Sequence, residues 1–284
     1  MVWKSISATT LRKNNFSLIL SGGVAHGIAH VGVIKFLEEN HLIPNEILGT
    51  SMGALVGALY SIGKNTTEMT QLLKEADNIK LFKAKIHWGS VEYVILEGFL
   101  KKIFGDLKMK DAKIDIKIMA TDIDTGQGKL FTKEDDVLLL DAVRASISLP
   151  GIFEFKKING KYYMDGGVFS NLPIEHAKKL NIKIASNVVN HSLKLSYKED
   201  SLIKKVISSF NIYYHLAYYL MENQTYSKTK YIKDLLMIEP DLSGQKRYSL
   251  QDYSKSIEIG YEATKKAIRL PKVAIWLEGV DQFS

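Results

Sequence analysis

Seven short runs rich in apolar and β-branched residues recur along the chain: FSLIL at 16–20, EILGT at 46–50, IKIMATDI at 116–123, KYYMDGG at 161–167, IKIASNVV at 182–189, LLMIEP at 235–240 and KVAIWL at 272–277. Several are apolar at consecutive rather than alternate positions, the pattern of strands buried on both faces. The stretches between them, near 27–40, 52–61, 91–104, 137–147, 173–180, 201–230 and 250–269, carry helical patterning. Such strands alternating with helices define an α/β class, a mainly parallel central sheet covered on each side as a three-layer α/β/α sandwich. No repeat, low-complexity tract or Pro/Gly/Ser linker divides the 284 residues, so a single domain over 1–284 is expected. Residues 16–190 make its motif-bearing core and 191–284 a C-terminal helical region packed on that core.

The chain has no cysteine, which removes disulfides, thiolate catalysis and Cys-ligated metal centres and leaves the chemistry to Ser, Asp, Glu, His and Lys. No run reaches the roughly 18 apolar residues of a membrane span. The apolar run at 16–20 is too short for a signal peptide, so a cytoplasmic location is expected. The net charge is +7, and Arg12, Arg144, Arg247 and Arg269 are the only arginines among 38 basic residues. Lysine-dominated charge lacks the guanidinium fork of base readout, so no nucleic-acid partner is expected. It suits a solvated surface or loose attraction to anionic headgroups at the inner membrane face. Tyr213, Tyr214, Tyr218, Tyr219 and Tyr226 in the 201–230 helix form either a core or dimer stripe or an interfacial one.

In EILGTSMGALVGALYS at 46–61, Ser51 stands at the turn between a strand and a helix. Gly49 and Gly53 leave room for a sharp bend that presents the serine, the setting of a nucleophile elbow. The helix N-terminus behind it directs N–H groups at the same point, making Met52 N–H a candidate oxyanion donor. A serine there can equally serve only as a helix cap. Upstream, LILSGGVAHGIAHVGVIKFLEE at 18–39 runs from a strand through a glycine-rich turn into an amphipathic helix. No Gly-Lys-Ser/Thr follows, and Val24 breaks the Gly-x-Gly-x-x-Gly spacing, which disfavours nucleotide binding. The turn's successive N–H groups suit the other half of an oxyanion hole. A serine also needs a base. No histidine follows His215, whereas Asp165 in YYMDGGVFSNLP ends a strand before a tight Gly166-Gly167 turn. Asp-Gly-Gly by itself is also an ordinary β-turn.

Four blocks taken together carry a resemblance: SGGVAHG at 21–27, GTSMG at 49–53, ASISLPGIF at 145–153 and DGG at 165–167, with ATDIDTGQGKLF at 120–131 between them. In this order they resemble the bacterial patatin-like phospholipase family over about residues 16–190. The resemblance implies a patatin-like fold and a Ser–Asp dyad in which Ser51 is the nucleophile and Asp165 the base. It implies oxyanion donors at Gly22, Gly23 and Val24 together with Met52, with Gly27, Gly49, Gly53, Gly166 and Gly167 shaping the loops. The implied substrate is a lipid or other fatty acyl ester, and neither a metal nor a cofactor is called for.

Two positions depart from the family pattern. Val24 stands where a third glycine is usual, so the loop is either extended there or strained. His26 stands where a lysine or arginine is common; it is a candidate substrate contact or simply a helix-start residue bonded to nearby backbone. These departures keep open a non-catalytic lipid-binding or regulatory protein on the same scaffold, and an α/β-hydrolase triad using His191 or His215 is a third alternative. Residues 79–105, with Phe82, Trp88, Tyr93, Phe99 and Phe104 among lysines, are expected as a lid or acyl-binding wall, or as a helix covering the core.

Overall fold

The computed structural model describes residues 2–3, 5–78, 91–189, 219–245 and 250–270. The strands are β1 (Val2–Trp3), β2 (Ile6–Ser7), β3 (Phe16–Leu20), β4 (Glu46–Thr50), β5 (Asp115–Asp122), β6 (Gly128–Phe131), β7 (Lys156–Ile158), β8 (Lys161–Asp165), β9 (Ile182–Ser186), β10 (Leu235–Ile238) and β11 (Ile268–Arg269). The helices are α1 (Ala8–Lys13), α2 (Ala29–Glu39), α3 (Met52–Ser61), α4 (Thr66–Asn78), α5 (Val91–Phe104), α6 (Leu139–Ser146), α7 (219–229) and α8 (Tyr253–Ala267).

The central sheet has the order β1-β10-β9-β3-β4-β5-β8-β7, with β6 also on β5. The strands from β1 through β5 are parallel; β6, β7 and β8 are antiparallel additions. Consecutive strand residues face opposite layers, as strand geometry dictates. Leu18, Leu20, Ile47 and Ile184 join the large core under α2–α6, whereas Ile19, Leu48 and Ala185 join a second core with Leu172, Ile174 and Ala177. The expected sandwich with a mainly parallel sheet is therefore the observed one. On the α2 face, α8 packs backbone to backbone: a Cβ on Gly32 would fall 1.9 Å from Ile257 O, and one on Gly260 2.0 Å from Ala29 O.

One register decides where the site forms. β6 occupies one edge of β5 along residues 118–121, so β4 and β8 share the other. On that edge Met119 pairs with Thr50 and Ala120 pairs with Asp165. The residue before Ser51 and the expected base are thus held by adjacent residues of one strand.

The helix expected at 173–180 does not form. Ile174–His176 is a single 3-10 turn, and Ala177 is already extended because the N–H of Lys178 donates to the buried Glu46 carboxylate at 2.6 Å. The strand expected at 272–277 and most of the aromatic 201–230 helix, including Tyr213, Tyr214 and Tyr218, lie outside the described residues, as do 79–90 of the expected lid.

Candidate active site

β4 delivers the chain to Ser51 and α3 carries it away. Between them Ser51 adopts φ 53°, ψ −123°, a conformation costly for a residue with a side chain and held only where the surroundings over-determine it. The surroundings do so at Gly49 and Gly53: a Cβ would come within 2.6 Å of Ala54 Cα at the first and 2.4 Å of Leu20 O at the second. The Ser51 side chain makes no capping bond to α3, so the helix-cap alternative does not hold. Its own N–H donates to Ser146 Oγ at 2.8 Å, and that hydroxyl donates onward to Met119 O at 2.6 Å.

Asp165, 1% exposed, is fixed through its backbone on both sides. Its N–H donates to Ser148 O at 2.9 Å and its carbonyl accepts from Thr121 Oγ1 at 2.9 Å. Gly166 sits against β5, where a Cβ would be 2.1 Å from Met119 O. The N–H of Gly167 donates to Asp165 Oδ1 at 2.7 Å. Burial pushes the Asp165 carboxyl up to about 6, a rise held back by the Ser51 hydroxyl and the Gly167 N–H. The Ser51 hydroxyl is therefore within reach of the carboxylate, yet Asp165 Oδ2 has no partner in full hydrogen-bond geometry. The contact between the two side chains is thus close but looser than a full hydrogen bond.

The block at 145–153 thus ties both groups together, Ser146 to Ser51 and Ser148 to Asp165. Behind it Arg144, fully buried, donates to Ser148 Oγ at 2.8 Å, pairs with Glu97 at 3.5 Å and lies over the Phe153 ring. The roles of its serines were not legible in the sequence; small polar residues at alternate positions, 146 and 148, at the end of a helix were the available signal. Ser146→Ala leaves two buried backbone groups without their partner, each worth roughly 1–3 kcal/mol. The expected result is a kcat lower by about 10- to 100-fold with KM little changed, measured by steady-state ester hydrolysis.

In the glycine-rich loop, Ser21 is anchored to β9: its N–H donates to Ser186 O at 3.1 Å, and its Oγ accepts from Val188 N–H at 3.0 Å. His30 completes the anchor, its ring nitrogens 3.0 Å from Ser186 Oγ and 2.8 Å from Ser21 O. Burial, opposed by the bond to the Ser21 carbonyl, lowers His30 to about 4, so at neutral pH it is an uncharged brace. The expected oxyanion set needs one correction, at Gly22. Its N–H donates to Asn171 O at 3.2 Å and has none to spare for substrate. The N–H groups of Gly23, Val24 and Met52 have no acceptor among the described residues. Val24 takes the strained alternative, with φ 50°, and Gly27 packs against the Met52 side chain. His26 is buried with Nε2 3.2 Å from Gln245 O, and it is not among the residues facing the cavity described next.

That cavity, of about 130 Å³, opens beside the serine. α3, α4 and α5 build most of its wall, closed by Val24, Ala25 and residues 147–153. Among the described residues Ser51 is its one polar lining residue. From the expected lid region, Leu96, Phe99, Leu100 and Ile103 of α5 are wall residues. Among the described residues no cluster of acidic and histidine side chains can hold a metal ion, and no helix is long and apolar enough to cross a membrane. His191 and His215, the bases of the triad alternative, lie outside the described residues.

A strained serine elbow beside a buried carboxylate, on a parallel sheet and facing an apolar cavity, defines a nucleophile-elbow α/β scaffold. The chain belongs to the patatin-like phospholipase family, whose model matches residues 18–178. It is similar to the lysophospholipase nte1 of Emericella nidulans, 32% identical over 174 residues that make up 59% of this chain and 11% of that protein. It is also similar to the neuropathy target esterase sws of Drosophila melanogaster, 31% identical over 178 residues, 59% of this chain and 12% of that one. The matched segment thus spans about a tenth of these relatives' length. The crystal structure of VipD from Legionella pneumophila shares the fold, with a TM-score of 0.55 at 13% identity over 89% of this chain and 66% of that chain.

Proposed function

We propose that this protein is a serine lipid acyl hydrolase that cleaves fatty acyl esters through Ser51 and Asp165. The observation that carries the proposal is that the one polar side chain among the described residues of an apolar cavity wall is a strained serine within reach of a buried carboxylate. An apolar wall suits an acyl chain, and the serine stands where that chain's carbonyl would rest. Asp165 takes the Ser51 proton as Oγ bonds to the ester carbon. The N–H groups of Gly23, Val24 and Met52 hold the oxyanion. Collapse expels the alcohol, which leaves with the proton from Asp165, and water then releases the fatty acid by the same steps reversed in role.

The names of the fungal and insect relatives favour a lysophospholipid or similar ester as the substrate class. We read the chain as one patatin-like domain over 1–284, with 191–284 packed on the core. The bacterial character of the family resemblance rests on the motif blocks, and a cytoplasmic location with peripheral contact to the inner membrane face rests on charge and hydropathy.

The direct test is covalent labelling by a fluorophosphonate, mapped by mass spectrometry, alongside fatty-acid release from lysophosphatidylcholine. Label on Ser51 and released fatty acid support the proposal; absence of both overturns it. Filling the cavity tests its role separately. Ala76→Phe is expected to lower kcat/KM for long-chain p-nitrophenyl esters about tenfold, the burial of roughly two methylenes, while p-nitrophenyl acetate is hydrolysed as before.

A further inference from the structure

Asn171 lies six positions beyond Asp165 and is 3% exposed, yet its Nδ2 has no hydrogen-bond partner among the described residues. An unpaired buried donor is costly and calls for an explanation. The backbone around it is pinned, since Ser170 O accepts from Thr50 Oγ1 at 3.0 Å and Asn171 O accepts from Gly22 N–H at 3.2 Å. The carboxamide is therefore held in place by the chain rather than by bonds of its own. Its position follows from what flanks it. A Cβ on Gly22 would lie 2.6 Å from Asn171 Oδ1 and 3.1 Å from Ser51 Cβ; one on Gly167 would lie 3.3 Å from Asn171 Oδ1 and 3.0 Å from Asp165 Oδ1. The side chain thus fills the joint between the nucleophile's loop and the turn that carries the base.

We infer that Asn171 positions the water that hydrolyses the acyl-enzyme, donating from Nδ2 to the water oxygen while Asp165 accepts one of its protons. This rests on the acyl-transfer reading above. Once Ser51 is esterified, Oγ has no proton to offer, and the carboxylate regains an empty acceptor position. The Asn171 carboxamide borders it through Oδ1, and a half-turn about Cβ–Cγ, which no bond of the carboxamide to the described residues opposes, presents Nδ2 there instead, so a water bound beside Asp165 has two fixed partners, as ordered waters in polar pockets do. In the step itself the water oxygen bonds to the acyl carbon and its proton passes to Asp165. The bond from the acyl carbon to Ser51 Oγ then breaks, and Oγ takes that proton back. Acylation needs no such water, so the two half-reactions depend on Asn171 unequally.

The experiment compares wild type with Asn171→Leu, which keeps the side chain's shape, and with Asn171→Ala. Each is mixed with excess p-nitrophenyl butyrate, quenched in acid and weighed by intact-mass spectrometry for the fraction acylated on Ser51. Turnover and the rate of fluorophosphonate labelling are measured in parallel. Turnover is expected to fall about tenfold, the loss of one hydrogen bond to the reacting water, while the acylated fraction rises and labelling proceeds at the wild-type rate. Normal labelling also certifies that the variant is folded. Labelling that falls together with turnover, or turnover that does not change, overturns the inference. A wild type that acylates at a residue other than Ser51, or whose Ser51 takes no fluorophosphonate label, overturns the acyl-transfer reading and this inference with it.

Discussion

Replacing Ser51 by alanine is expected to reduce ester turnover by about 1,000-fold or more, at least roughly 4 kcal/mol of transition-state stabilisation. In the proposed mechanism the covalent intermediate forms on Ser51, the one polar side chain among the described residues of the cavity wall. Asparagine at 165 is expected to do nearly the same for a different reason. Its Oδ1 can still accept from Gly167 N–H, as the carboxylate does at 2.7 Å, so the turn keeps its shape, but the amide cannot take a proton. Substrate binding should survive in both variants, since the apolar wall is untouched. The measurement is p-nitrophenol release from octanoyl ester, with KM or direct lipid binding as the control. A loss smaller than about 100-fold in Asp165→Asn, the lower range of general-base catalysis, would contradict a direct role for that carboxylate.

The second large effect concerns pH and sets stability against activity. Burial raises Asp165 from 3.8 to about 6, and the base works only when ionised. The rate at limiting substrate should therefore rise about tenfold per pH unit up to about 6 and then level off. Stability moves the opposite way. Between about pH 4 and 6 the folded chain keeps a proton on Asp165 that the unfolded chain has released, so folding loses free energy as pH rises through that window. Above it the full cost of the buried anion is present, roughly 3 kcal/mol from the size of the shift. Asp165→Asn removes the charge and is expected to be more stable than wild type by about 1–3 kcal/mol at pH 7.5. The gain should vanish near pH 4. Urea unfolding of both proteins at the two pH values checks the sign, and a wild type more stable than the variant at pH 7.5 would refute the buried-anion account. An inactive variant that outlasts the active protein would show that the site stores strain for its chemistry.

Several features missed in the sequence left local signals there. Asn65 and Glu68 bond reciprocally across the start of α4, at 2.9 and 3.0 Å, a capping box written plainly as NTTE. Asn159 and Gly160 both have positive φ in the tight turn between β7 and β8, the usual Asn-Gly hairpin signal. Other features left no local signal. Nothing in PIEHAKKLN says that Glu46, more than a hundred residues upstream, will take the N–H of Lys178 and stop a helix. Nor does SGGVAHG say that the first of its expected donors is spent on Asn171 O.

By itself the sequence determined the alternation of strands and helices, the strand–serine–helix elbow between Gly49 and Gly53, and the small set of groups able to do acyl chemistry in a chain without cysteine. These depend on periodicity, steric demand and side-chain type, all of which act over a few residues. The tertiary structure alone decided which N–H groups of the glycine-rich loop and of α3 are left without acceptors, that Ser146 and Ser148 brace Ser51 and Asp165, and that Asp165 lies beside Ser51. That last placement comes from β8 taking over the edge of β5 where β4 ends. Pairings such as Thr50 with Met119 and Ala120 with Asp165, between strands far apart in the chain, are settled by the packing of the whole sheet, which no short stretch of chain encodes.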